Sequence, residues 1–458
     1  MNQAKPHSNG NDILHGDIGA TLKRMTVPMI FGMITLMMFN LVDTFFISML
    51  GTAPLAAISF TFPVTFTVIS LAIGLGIGTS AVIAKALGSD RLEEAKFDAA
   101  VSLINSALLV LLLSIFGYLF TQPIFVLLGA NQEVMPYIND YMSVWFLGSV
   151  LLVTPMIGNS VLRASGDTKT PSIVMGLGGL VNAILDPVLI FGWGPIAPMG
   201  VKGAAVASVI SWSLGVGIIL YLLIIKKGLV SLSARYTSFI GATKKIFTIG
   251  LPAAGANMLT PLAMAVMTAM IASFGPEAVA AFGVGSRIES IASLVVLALS
   301  MTLPPFISQN FGANYFNRVS DAYTQTLKFV MAFQFIIYVL LVLCAQFISH
   351  IFGQEPAVVQ TIELFIYIMP LGYGLQGVII LTNSSFNALH KPLKALVLSV
   401  IRLFVFYVPM AYLGSQLAGL TGLFVGAALG NLFTAVLAYK WFKKVIDDIA
   451  VNAANEEV

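Results

Sequence analysis

Residues 203–225 read GAAVASVISWSLGVGIILYLLII, 23 positions without one charged side chain. At 1.5 Å of rise per residue such a helix is about 34 Å long, enough to cross the hydrocarbon of a bilayer. Read outward from it, the chain repeats the same kind of stretch. The expected spans are 26–50, 54–84, 97–120, 138–158, 171–192, 203–225, 246–272, 278–306, 322–348, 361–385, 394–413 and 422–442. Many are rich in Val and Ile. Helices are nevertheless expected, because a backbone in lipid must satisfy its polar groups within its own segment.

Composition agrees. Of 458 residues, 58% are hydrophobic and 9% charged, and the mean hydropathy is +0.93. Soluble domains carry about 25% charged residues, so a soluble globular or disordered chain is excluded. The single Cys344 excludes a disulfide scaffold or multi-Cys metal site. A net charge of +3 with scattered basic residues argues against a nucleic-acid surface. The first 24 residues hold no apolar run, so no cleavable signal peptide is expected.

Basic residues set the orientation. Twenty of the 23 Lys and Arg fall before span 1, at or beyond the end of span 12, or in and at the edges of the connections 2–3, 4–5, 6–7, 8–9 and 10–11. The opposite face has only Lys202, and Arg287 and Arg402 fall inside spans. Both termini are therefore expected in the cytoplasm.

The second half repeats the first. A shift of 224 lays Pro28 on Pro252, Gly51 on Gly275, Gly148 on Gly372 and Asn159-Ser160 on Asn383-Ser384. Ile18-Gly19-Ala20-Thr21 recurs as Ile240-Gly241-Ala242-Thr243, and Gly200 and Gly203 meet Gly419 and Gly422 at a shift of 219. Each half has six spans and enters from the same side, the arrangement of a two-lobed transporter. The expected fold is all-α and integral to the membrane. It has twelve transmembrane helices in two six-helix lobes, with pseudo-two-fold symmetry and a central cleft. Its parts are a cytoplasmic tail 1–24, an N-lobe 25–225, a basic linker 226–245 on the cytoplasmic surface, a C-lobe 246–445 and a tail 446–458.

Charges at membrane depth are costly and mark function. Five are counted: Asp43, Asp186, Arg287, Glu289 and Arg402. Asn40 precedes Asp43 on its helical face, and Asn182 lies one turn before Asp186. A carboxylate with an amide on one face forms a hard site for a proton or Na⁺, so Asp43, Asn182 and Asp186 are the candidates for either ion. Pro28 can kink span 1. Arg287 and Glu289 are open to two readings, pairing with other helices or lining the cavity. Arg402 is expected to be structural or to reach toward the cytoplasmic side. The repeat sets Met267 opposite Asp43, so a carboxylate site belongs to the N-lobe. No Walker A pattern, nucleophile elbow, zinc motif or selectivity-filter repeat occurs, which leaves neither an ATP-driven pump, an enzyme nor a channel.

Leu162-Arg163-Ala164-Ser165-Gly166-Asp167-Thr168-Lys169-Thr170-Pro171 resembles the loop between helices 4 and 5 of MATE transporters (multidrug and toxic compound extrusion), part of the MOP flippase superfamily. Asn182, Leu185-Asp186-Pro187, Phe191-Gly192, Gly200-Val201-Lys202-Gly203-Ala204-Ala205, and Pro28 with Phe39-Asn40-Leu41-Val42-Asp43 continue the likeness. The NorM branch carries acidic residues in helices 7 and 10 of the C-lobe; this chain lacks them and so looks like the DinF branch. The resemblance implies an N-lobe proton or cation site of Asp43, Asn182 and Asp186 with Tyr141, and bending of helix 1 at Pro28 on protonation. Where the family's helix 6 often carries a Thr, this chain has Ala204 and Ala205, with Ser208 the nearest hydroxyl.

The expected function is a monomeric antiporter of the bacterial inner membrane. It exports amphipathic, often cationic drugs or dyes in exchange for H⁺ or Na⁺, without a cofactor or nucleic-acid partner. The alternative is a flippase for a lipid-linked precursor, disfavoured because only Arg287 and Arg402 lie at depth to hold a pyrophosphate.

Overall fold

A computed structural model describes residues 8–233, 238–353 and 355–456. Its regular elements are helical, joined by one isolated antiparallel bridge between Trp193 and Ile196. In the first half these are α1 (Ser8–His15), α2 (Ile18–Ser48), α3 (Thr52–Gly88), α4 (Leu92–Leu119), α5 (Thr121–Leu127), α6 (Met135–Ala164), α7 (Lys169–Phe191) and α8 (Val201–Leu220), which ends in a π turn, Tyr221–Lys226. The second half holds α9 (Phe239–Ala272), α10 (Pro276–Ala292), α11 (Leu294–Gly312), α12 (Phe316–Leu343), α13 (Ala345–Phe352) and α14 (Pro356–Ile368). A 3₁₀ turn, Met369–Gly372, leads into α15 (Tyr373–Ala388). Then come α16 (Pro392–Ile401), a second π turn (Arg402–Tyr407) and α17 (Val408–Glu456).

Among the described residues, eleven helical stretches are long and apolar enough to cross a bilayer. The last, Pro392–Asn455, holds the two spans expected at 394–413 and 422–442. They are separated by a bend in α17 at Ala418 (φ −142°, ψ 27°) and Gly419 (φ 60°, ψ −141°). Only a residue without Cβ adopts the Gly419 conformation readily. Beside the bend, a Cβ on Gly422 would stand 1.9 Å from the Gly414 carbonyl oxygen, so both legs of the hairpin require glycine there. Large apolar side chains such as Leu112, Phe335 and Leu417 face outward, as a surface solvated by hydrocarbon demands.

The chain forms two compact units: Met1–Asn11 with Lys23–Ala254, and Asp12–Leu22 with Gly255–Val458. In the first, α3, α4, α6 and α8 enclose a core that includes Leu75, Val101, Trp145, Ile157 and Leu223. Without a hydrophobic drive between helices in lipid, close backbone approach takes over. A Cβ on Gly78 would lie 2.6 Å from the Ile246 carbonyl oxygen, and one on Gly74 would lie 2.5 Å from Ala254. In the second unit, Met267, Ile271, Phe282, Phe365, Tyr407 and Phe424 form one cluster. Tyr323 stacks on Phe442 at 3.9 Å and shares a 2.7 Å hydrogen bond with Thr382.

The two units exchange the starts of their repeats. The repeated words at Ile18–Thr21 and Ile240–Thr243 each lodge in the unit built mainly from the other half. In the first unit, Asn105 Nδ2 donates to Thr243 Oγ1 (2.8 Å), Lys245 Nζ donates to Glu94 (2.5 Å), and Ala242 and Ile246 are buried. In the second, Arg318 donates to the carbonyls of Ile13 (3.1 Å) and Gly16 (2.9 Å), and Asn310 also donates to Ile13 (3.2 Å). The first 24 residues, expected as a polar tail, are thus helical from Ser8 onward, apart from a short break before Ile18. The reason is apolar spacing: Ile13, Ile18 and Leu22 are buried. Of the expected linker 226–245, Lys226 ends the π turn, 239–245 open α9, and 234–237 lie outside the described residues.

Candidate functional site

The acidic site forms where α2 and α7 run side by side in the same direction. Small residues permit the approach. A Cβ on Gly32 would meet Ser172 at 3.0 Å, and one on Gly179 would sit 2.0 Å from the Phe39 ring. Continuing up this seam brings Asp43 beside Asp186, close enough for each carboxyl group to act on the other. Asp186 is completely buried and Asp43 half-buried. Pro187, next in α7, cannot donate a backbone hydrogen bond to the turn before it, a local weak point beside the acid.

Around them the polar groups are few. Asn182 Nδ2 donates to Asp186 Oδ1 (3.3 Å) and to Ser208 Oγ on α8 (3.4 Å). Tyr141 of α6 lies within electrostatic range of both aspartates, its ring packed against Ile47, Ile190 and Ala204. Asp43 Oδ1 and Asp186 Oδ2 are shut off from solvent without a hydrogen-bond partner. Two neighbouring acids with such oxygens have room for one more positive charge. Asp43, Asn182, Asp186, Tyr141 and Ser208 are therefore brought together. The side chain of Asn40 lies outside the described residues. Pro28 sits further down α2, which runs unbroken through it.

The counterpart of Asp43 in the second unit, Met267, is fully buried in apolar core. The second unit instead carries a separate polar cluster. Gln376 Nε2 donates to Glu289 (2.9 Å), and Arg402 Nε donates to Asn431 Oδ1 (3.2 Å) with its guanidinium carbon 5.4 Å from the Tyr407 ring centre. Arg402 is thus tied into the helix packing by Asn431 and Tyr407. Arg287 is exposed.

Sequence reasoning passed over Tyr373, Gln376, Tyr407 and Asn431, whose polar ends look ordinary until Glu289 and Arg402 are seen between them. It also passed over Asp98, fully buried on α4 with Lys245 Nζ 3.7 Å from its Oδ2. The available signal was that Asp98 lies one position inside the expected span 97–120. At the 4–5 loop, Asp167 accepts from Thr170 N (3.0 Å), Thr170 Oγ1 (2.5 Å) and Lys227 Nζ (2.6 Å). Burial alone would raise its pKa, but the Lys227 and Thr170 hydrogen bonds outweigh this and hold the carboxyl below its usual range.

A duplicated, helical membrane chain with an acidic pair in one half has the build of a transporter. The MatE family model matches it twice, over residues 28–188 and 252–413, and the chain belongs to the MATE family of transporters. It is 40% identical over 444 residues to the FAD transporter of Shewanella oneidensis, covering 97% of this chain and 98% of that one. It is 23% identical to the probable multidrug resistance protein NorM of Thermotoga maritima, covering 94% of each. Among solved structures, the Vibrio cholerae MATE transporter VcmN in the bent form superposes with a TM-score of 0.90 at 33% identity, covering 96% of this chain and 99% of that one. A MATE crystal structure in the straight conformation gives 0.90 at 27% identity, covering 97% and 99%. The two matches of the family model start 224 residues apart, the shift of the internal repeat.

Proposed function

We propose that this chain is a proton-driven exporter of the bacterial inner membrane and that its coupling site is Asp43 with Asp186, supported by Asn182, Tyr141 and Ser208. The observation that carries this is the acid pair, Asp186 fully buried and Asp43 half-buried, each with one carboxylate oxygen shut off from solvent. Two carboxylates side by side away from water repel, and one proton held between them relieves the repulsion. The orientation of Asn182 favours H⁺ over Na⁺, because its amide nitrogen faces Asp186 and a bare cation there would meet a donor. Coupling follows if protonation and substrate bias the same inward-open and outward-open equilibrium. Bending of α2 at Pro28 is the proposed moving part. A DinF-like placement, a monomer and two cytoplasmic termini complete the reading.

For the substrate, the 40%-identical relative over nearly the whole chain favours flavin adenine dinucleotide. A second reading, amphipathic cationic drugs, is supported by relatives named for multidrug resistance or export at 23–26% identity. Purified protein in liposomes separates the readings. A pH gradient, but not a Na⁺ gradient, is expected to drive flavin dinucleotide across the membrane. Movement of ethidium alone would select the second reading, and movement of neither under either gradient would sink both.

A further inference from the structure

The polar cluster of the second unit contains donors without acceptors. Arg402 opens a π turn, a rare distortion that recurs at functional sites. Its Nε is fixed by Asn431 and its plane lies over Tyr407, so the side chain is held in one orientation. Neither of its two terminal amino groups makes a hydrogen bond or ion pair among the described residues. Glu289 acts on it only at a distance and is itself engaged by Gln376. The hydroxyl of Tyr373 is buried without a partner, and the residue before it, Gly372, stands against Asn431, with its Cβ position 3.7 Å from the Asn431 Nδ2. A guanidinium kept at membrane depth with its fork unfilled is expensive unless something fills it.

The duplication adds an independent line. Shifts of 224 before and 219 after this region set Arg402 against residues 178–183 and Tyr407 against 183–188. Those windows bracket Asn182 and Asp186. The same stretch of the repeat carries an acid in one half and a base in the other.

We propose that Arg402, with Tyr373, forms an oxyanion site in the second unit that receives the phosphate groups of the transported dinucleotide; this rests on the flavin dinucleotide reading above. The guanidinium fork matches two phosphate oxygens, which a lysine ammonium or an amide does not. Glu289, held by Gln376 rather than by Arg402, leaves that fork open.

The test is calorimetric binding of inorganic pyrophosphate to the purified full chain in detergent, beside flavin dinucleotide transport in liposomes. Arg402→Gln is expected to weaken pyrophosphate binding and dinucleotide transport about ten- to hundredfold, the loss of one charged hydrogen-bonding group. Arg402→Lys, which keeps the charge without the fork, should fall between and serves if the Gln variant fails to fold. Equal pyrophosphate binding by parent and variants, or none by the parent, overturns the site. If the parent binds pyrophosphate through Arg402 but moves no flavin dinucleotide, the oxyanion site stands and the flavin reading falls. An anionic lipid headgroup offers the same chemistry. Loss of pyrophosphate binding on adding phosphatidylglycerol to phosphatidylcholine nanodiscs would overturn the assignment to substrate, and unchanged binding would support it.

Discussion

Asn182 and Asp186, one helical turn apart on α7, are joined by a 3.3 Å Nδ2–H···Oδ1 hydrogen bond, while the other oxygen of Asp186 is buried and unpartnered. The acid is thus oriented by one neighbour and left open on its other side. Asp43→Asn and Asp186→Asn are each expected to abolish gradient-driven transport while the protein still inserts and purifies. Asn182→Ala should slow transport about tenfold, the worth of one hydrogen bond to a charged group. Gradient-driven flux at the parent rate in either Asp variant would remove that residue from the coupling site.

Lys245 answers two acids of α4, Glu94 at 2.5 Å and the fully buried Asp98 at 3.7 Å. Breaking a buried pair from one side leaves an uncompensated charge and costs about 3–5 kcal/mol. The part-exposed Lys245 should bring the loss here toward the lower end. Lys245→Ala is expected to lower the unfolding temperature in detergent, and Lys245→Ala with Asp98→Asn should recover part of the loss. A double variant no more stable than the single one would show that Asp98 does not depend on Lys245.

Asp167 gives a pH signature. Its folded pKa lies below that of an ordinary aspartate. Its contribution to stability is therefore fully present above about pH 4 and is lost as pH falls through the folded value. Asp167→Asn should destabilise the protein by about 1–3 kcal/mol at pH 7, and the gap between parent and variant should narrow on acidification below pH 4. A gap independent of pH would mean that the charge is not what Lys227 and Thr170 recognise.

Arg318 holds the N-terminal segment by the Ile13 and Gly16 carbonyls, with its own Nε bonded to Asn310 (3.0 Å). Arg318→Ala should release this segment. Limited proteolysis is expected to cut within residues 8–22 at least several times faster than in the parent. An unchanged cleavage rate would mean that the buried Ile13, Ile18 and Leu22 and the Asn310 hydrogen bond hold the segment without Arg318.

Much of this was legible in the sequence because lipid makes charge conspicuous. Spans declare themselves by what they lack, and Asp43 and Asp186 stand out against them. The duplication was legible because Pro and Gly mark backbone positions that tolerate little else. Partnerships were not legible. Lys245 lies far along the chain from Asp98, and Arg402 meets Asn431 across a hairpin whose turn depends on Gly419. No local periodicity encodes such meetings. The word Ile-Gly-Ala-Thr could be seen to recur, but not to pack in the opposite unit, since the same apolar spacing fits either partner.

That exchange of segments bears on biosynthesis. Domains commonly fold as they emerge, the first one first. Here the first unit lacks residues 238–254 until synthesis has entered the second half, whereas the second unit finds residues 12–22 already made. The early half must wait in the membrane, incomplete, for a piece of later sequence. A ribosome that stalls between the halves would leave a protein that cannot finish itself.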